Sequence, residues 1–143
     1  MYYHLSEDPD LTILTPRVPR YAVEDWEDVK TERICFSDSI SHCLTALQDA
    51  GRYYVYILEN QEDNKYFYHP SKKQVRDVGY THESWCMKEV PVICIGKIKA
   101  EYEHYETVEI DEKVDIGVWY FTYQWINHEW ILDEKAYLLS ETG

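Results

Sequence analysis

Only one stretch of this chain, "SDSISHCLTALQDAG" (37–51), carries apolar residues at helical spacing. Ile40, Cys43, Leu44 and Leu47 fall on one face of a 3.6-residue turn. Ser37 or Asp38 stands where a helix start is capped, and Gly51 stops the run. Every other regular segment favours strand. A chain with a single principal helix and strand signals on both sides of it is restricted to an α+β fold dominated by sheet.

The strand signals are short and strong. "YYHL" opens the chain, "RICF" leads into the helix, and "RYYVYILE" follows it. The turn "NQEDN" and the run "KYFYH" then complete an apparent hairpin with "RYYVYILE". "VPVICIGKIKAEYEHYETVEI" has an apolar centre at Val92–Ile95 and alternates beyond Gly96, as a half-exposed strand does. After the turn "DEKVD" comes another strong strand, "IGVWYFTYQWI", and "HEWILDEKAYLLS", whose spacing fits neither template well, is open to a short helix or a terminal strand. The segment "SEDPDLTILTPRVPRYAVEDWEDVKTE" has three prolines, clustered carboxylates and little periodicity, the pattern of a long functional or mobile loop. These pieces predict six to eight strands and one domain over 1–143.

Fourteen tyrosines and five tryptophans reinforce the strand preference. The formal charge of −13 is uneven, with eleven acidic and two basic side chains after residue 100. That sign opposes direct nucleic-acid binding, which needs a basic face. No apolar run approaches the ~20 residues of a membrane-spanning helix. The four cysteines show no CxxC spacing and read as free thiols, so a cytoplasmic location and no metal site are expected.

Phosphate-loop, nucleophile-elbow, HExxH and GxGxxG motifs are absent, and five glycines leave little material for a phosphate cradle. The chemistry-bearing residues are scattered. His4 ends the first strand with Ser6 two residues on, a pair able to bond a ribose hydroxyl, while a structural histidine bonded to a carbonyl is the plain alternative. The N–H groups of Ser37–Ser39 suit an anion or an ordinary helix start. Glu83 stands in a polar turn before an apolar strand, where a carboxylate stabilises a developing cation or is merely solvated.

The order "YYHLS", "LTPRVP", "RICFSDSISHCLTAL", "YYVYILE", "THESWCMKEVPVICIGKI" is similar to the small ADP-ribosyltransferase-like fold over roughly residues 2–99. It resembles most the rifampin ADP-ribosyltransferase group, with its "YHGT"-like, "YFT"-like and "EPLRIVG"-like strands, and also phage and Gram-positive bacterial proteins sharing "YHLS". The resemblance implies a split, bent β-sandwich around an NAD cleft. It assigns His4 to the nicotinamide-side ribose and Cys35 or Phe36 to the stacking position. Glu83 is the preferred catalytic carboxylate, with Asp63 as the other candidate. The expected catalytic pair is then His4 and Glu83, and the cofactor-binding set is His4, Ser6, Arg33, Phe36 and Ser37. Tyr21, Trp26 and Trp85 are candidate lid aromatics.

Three functions follow as expectations. The first is an NAD-dependent ADP-ribosyltransferase of phage or bacterial origin that modifies a host target. The second is a non-catalytic binder of NAD or a related nucleotide, or an inhibitor of a host protein, on the same scaffold. The third is an acidic DNA mimic.

Overall fold

The computed structural model describes residues 1–19, 27–47, 50–76, 78–110 and 112–140, with residues 102–106, 108, 110, 113–120 and 133–140 described by their backbone alone. The fold is α+β. Among the described residues the nine strands are β1 (Tyr3–Ser6), β2 (Ile13–Leu14), β3 (Ile34–Ser37), β4 (Gly51–Leu58), β5 (Phe67–Tyr68), β6 (Glu83–Cys86), β7 (Val90–Ile110), β8 (Lys113–Ile126) and β9 (Glu129–Ser140). The helices are α1 (Ile40–Leu47) and the single turn α2 (Val78–Thr81), with a 3-10 helix over Gln61–Tyr66. Strand pairing is antiparallel and runs unbroken in the order β5-β6-β3-β1-β4-β7-β8-β9, with β2 added beside β7. Ser39 caps helix α1, one residue beyond Asp38 and two beyond Ser37, with its hydroxyl accepting the His42 N–H at 3.1 Å.

The expected hairpin between "RYYVYILE" and "KYFYH" does not form. β4 lies between β1 and β7, whereas β5 pairs with β6. The intervening turn is occupied by the 3-10 helix, which Asn60 caps through the Glu62 N–H. "HEWILDEKAYLLS" resolves as strand β9, paired along β8.

The sheet buries apolar side chains on both faces. On the first face, α1 sets Cys43 and Leu44 against Leu5, Tyr53, Val55, Ile98 and Ala100. On the second face, Leu14, Ile34, Phe36, Tyr56, Leu58 and Val92 pack together, with Leu11 and Phe67 at the margin. Full burial of such side chains contributes about 1.5–3 kcal/mol each, so both clusters stabilise the sheet, the first of them beneath α1. Leu11 and Leu14 cover the second core, where the Tyr56 hydroxyl accepts the Leu11 N–H at 3.2 Å.

One irregularity decides which side chains share a face. Val55 pairs with Gly96 while its neighbour Tyr56 pairs with Cys94, leaving Ile95 as an extra residue in β7. A bulge shifts the alternation by one. Val90 and Val92 therefore enter the second core, while Ile98 and Ala100 enter the first. The same shift turns Lys97 and Lys99 to the second face.

Candidate functional site

Residues opposite one another in an antiparallel ladder project to the same side, and neighbours along a strand project to opposite sides. Tyr3 is opposite Ser37, and Ser37 is opposite Glu83. These three share the first face, and so do Cys35 and Trp85, which pair with each other. His4 and Ser6 therefore point away from them, beside Tyr56 and Tyr54, their partners in β4. The sheet itself separates His4 from Glu83.

On the first face the candidates form a buried polar cluster. Glu83 is 6% exposed, and its Oε1 accepts the Trp85 indole N–H at 2.8 Å, with the Cys35 thiol at 3.8 Å. Arg33 is 1% exposed and lies over the Trp85 ring at 4.2 Å. Its guanidinium donates to the Glu27 carboxylate at 2.9 Å and to the carbonyls of Asp28 and Thr31 at 2.8 Å each. The Ser37 hydroxyl donates to the Thr81 carbonyl at 2.9 Å. Burial pushes the Cys35 thiol well up, and the Glu83 charge adds to the effect, so Cys35 is held protonated. These contacts hold α2, β3 and β6 together, and the buried Arg33 Nε is left without a hydrogen-bond partner.

The second face carries His4, Ser6 and Phe36. The His4 Nδ1–H donates to the Cys35 carbonyl at 2.8 Å, and the ring leans on Phe36 at 5.8 Å between centroids. Burial lowers the His4 pKa against the opposing pull of that hydrogen bond, and the Arg17 charge lowers it further. The neutral ring then presents Nε2 as an acceptor. Phe36 is fully buried and stacks on Phe67 at 4.7 Å, so its ring serves the core. Asp63 sits in the first turn of the 3-10 helix, and its N–H bonds the Asn60 carbonyl. Of the candidate lid aromatics, Trp85 is fully buried, while Tyr21 and Trp26 lie outside the described residues.

Continuing across the sheet from His4 and Ser6, the second face changes character. Ser6 pairs with Tyr54 and Tyr54 with Lys97. The Lys97 ammonium lies over the Trp125 ring at 4.2 Å, and Trp125 pairs with Trp130. One row lower, Arg52 pairs with Lys99 and Lys99 with Tyr123. Lys99 stands over Tyr123 at 4.6 Å, and both Lys99 and Arg52 reach Trp130, at 5.3 and 5.8 Å. Three cations are thus interleaved with aromatic rings across β4, β7, β8 and β9, and Trp125 is 38% exposed. The sequence hint to this face is the alternation "KIK" beside "YQW", legible only once the bulge fixes the phase.

Comparison with protein-family models, with curated proteins and with solved structures returns no match. No helix among the described residues is long and apolar enough to cross a membrane.

Proposed function

We propose that this chain binds a small phosphorylated aromatic ligand, of the nucleotide class that includes NAD and ADP-ribose, and performs no transfer chemistry on it. The observation that carries this reading is the row of Ser6, Tyr54, Lys97, Trp125 and Trp130 along one sheet face. Lys97, Lys99 and Arg52 supply charge for phosphates. Trp125 and Trp130 supply ring faces for a base, and a stacked base is worth about 1–3 kcal/mol. His4 and Ser6, at the β1 end of the same face, offer an acceptor and a hydroxyl for a sugar. The transferase reading implied by the resemblance needs a carboxylate beside that sugar. Glu83 points to the other face and is engaged with Trp85, so binding without turnover is the reading favoured by the arrangement.

The test is calorimetry and tryptophan fluorescence with ADP-ribose and NAD, alongside an assay for released nicotinamide. Binding with no nicotinamide release is expected, and Lys97→Glu with Lys99→Glu should abolish it. Binding that ignores these two substitutions, or no binding of either nucleotide, overturns the proposal. Nicotinamide release that disappears in Glu83→Gln would restore the NAD-dependent ADP-ribosyltransferase.

A further inference from the structure

A second cluster lies away from that face, where β3 runs into α1 and α2 runs into β6. Asp38 precedes the helix, His42 lies in its first turn, and His82 follows α2. The Nδ1 atom of His42 is 2.6 Å from Asp38 Oδ1, and that of His82 is 3.0 Å from Asp38 Oδ2. The two imidazoles stack with centroids 3.6 Å apart and planes 28° apart. One donor atom from each of the three residues lies within 4.8 Å of the others.

The hydrogen-bond chemistry of this cluster is short of cations. A carboxylate only accepts, so each Nδ1 contact with Asp38 needs a proton on Nδ1 or an ion bound by both atoms at once. The His82 Nε2 is 3.1 Å from the Gly79 carbonyl, which also only accepts, so Nε2 carries a hydrogen. In the neutral ring this leaves a lone pair on Nδ1, directed at Asp38. A backbone carbonyl that fixes the tautomer of an imidazole through its far nitrogen is the usual outer support of a metal-binding histidine. With protons alone, His42 is served by its Nδ1–H tautomer, whereas His82 faces an acceptor at both nitrogens and would need a hydrogen on each. A single divalent ion replaces both Nδ1 protons. His82 is held in this position at φ +50°, in the left-handed region that residues with a Cβ seldom occupy.

We infer that Asp38, His42 and His82 form a site for a divalent transition metal of the Zn2+ type. Two imidazole nitrogens and one carboxylate oxygen suit Zn2+, and three protein donors leave a position for water. The side chains of Asp38, His42 and His82 are 51%, 32% and 42% exposed, so an ion reaches them from solvent. The Ser39 hydroxyl, 3.0 Å from His42 Nδ1, caps the helix and supports that ring.

The test uses the full chain stripped with chelator, in a Cys94→Ser background because Cys94 is an exposed free thiol. Calorimetry with Zn2+ should give one equivalent bound. His42→Ala and His82→Ala should each weaken binding by more than about tenfold, whereas His128→Ala should leave it unchanged. Asp38→Asn keeps the acceptor oxygen and removes the charge, and it too should weaken binding. Imidazole 15N shifts should move at Nδ1 of His42 and His82 when Zn2+ is added. Circular dichroism of each variant separates lost ligands from lost fold. No Zn2+ bound by the parent chain, binding indifferent to both histidine substitutions in folded variants, or shifts confined to Nε2 would overturn the site.

Discussion

Replacing Glu83 separates a structural carboxylate from a chemical one. Its Oε1 is the acceptor for the Trp85 indole N–H, at 2.8 Å and with both side chains buried. In Glu83→Ala that donor is left without a partner away from water, which costs about 1–3 kcal/mol. The space left by the shorter side chain adds about 1 kcal/mol. The sum is about 2–4 kcal/mol. At about 3–4 °C per kcal/mol for a chain of this size, the melting temperature should fall by roughly 6–16 °C. Glu83→Gln keeps an amide oxygen for the indole and loses only the charge-assisted part of the bond, about 1 kcal/mol. Urea unfolding followed by tryptophan fluorescence measures both variants, with ADP-ribose binding measured in parallel. Nucleotide affinity should stay unchanged in Glu83→Gln, because the carboxylate and the cationic row occupy opposite faces. Equal loss of stability in the two variants would show that the charge, and not the acceptor, matters. No loss in Glu83→Ala would refute the reasoning outright.

Three further perturbations have defined outcomes. Phe36→Ala empties a fully buried position stacked on Phe67 and should cost about 3–5 kcal/mol in urea unfolding; a cost below about 1 kcal/mol would mean the second core collapses to fill it. His4 is held below its ordinary value near 6.5, so the unfolded chain takes up a proton there before the folded one does. The stability from neutral His4 is complete above that value and declines as pH falls through it toward the lower folded pKa; His4→Asn should flatten this slope in denaturation at pH 5 and pH 8, and an unchanged slope would exclude His4 as its source. Asp28 is held down to about 2 by the Thr31 hydroxyl and by the N–H groups of Thr31 and Lys30. Its contribution is present above an ordinary carboxylate pKa near 3.9 and is lost as pH falls through about 2, so Asp28→Asn should remove part of the acid limb of the unfolding curve.

The helix and most strands were legible because their signals are local. Ile40, Cys43, Leu44 and Leu47 repeat at 3.6 residues, and that face packs on the sheet. The "YYHL", "RICF" and "RYYVYILE" runs became β1, β3 and β4. Pairing was not legible. Nothing in "KYFYH" distinguishes a neighbour reached through a tight turn from β6, met further along the chain. The two-residue β2 has no periodicity to read, and its place is set by Ile13 and Leu14 meeting Pro91 and Val90. The bulge at Ile95 was hidden for a different reason. Val90, Val92, Ile98 and Ala100 are all apolar and evenly spaced, so a strand feeding one core and a strand feeding two read alike. The faces of Lys97, Lys99 and, relative to them, His4 could not be assigned without it. His42 and Asp38 show their four-residue spacing in the sequence, but His82 joins them only through the β3–β6 pairing.

A cationic patch on a chain of net charge −13 raises the question of which anions it can hold. At physiological ionic strength the Debye length is about 8 Å, so a ligand responds to charges near it far more than to the total. In the proposed complex, a mononucleotide or dinucleotide laid over Trp125 and Trp130 has Lys97, Lys99 and Arg52 within that range. A polynucleotide must run on past it. Along β7 it meets Glu101, exposed on the same face as Lys99, which repels a further phosphate. Lys99 is already shared with Glu101 at 3.2 Å, which trims the positive field on the side where a strand would leave. Aromatic stacking alone would accept either ligand. On the proposed reading, Glu101 turns a stacking face open to any base into one that favours a short anion, so an acidic excess accords with nucleotide binding while opposing nucleic acid.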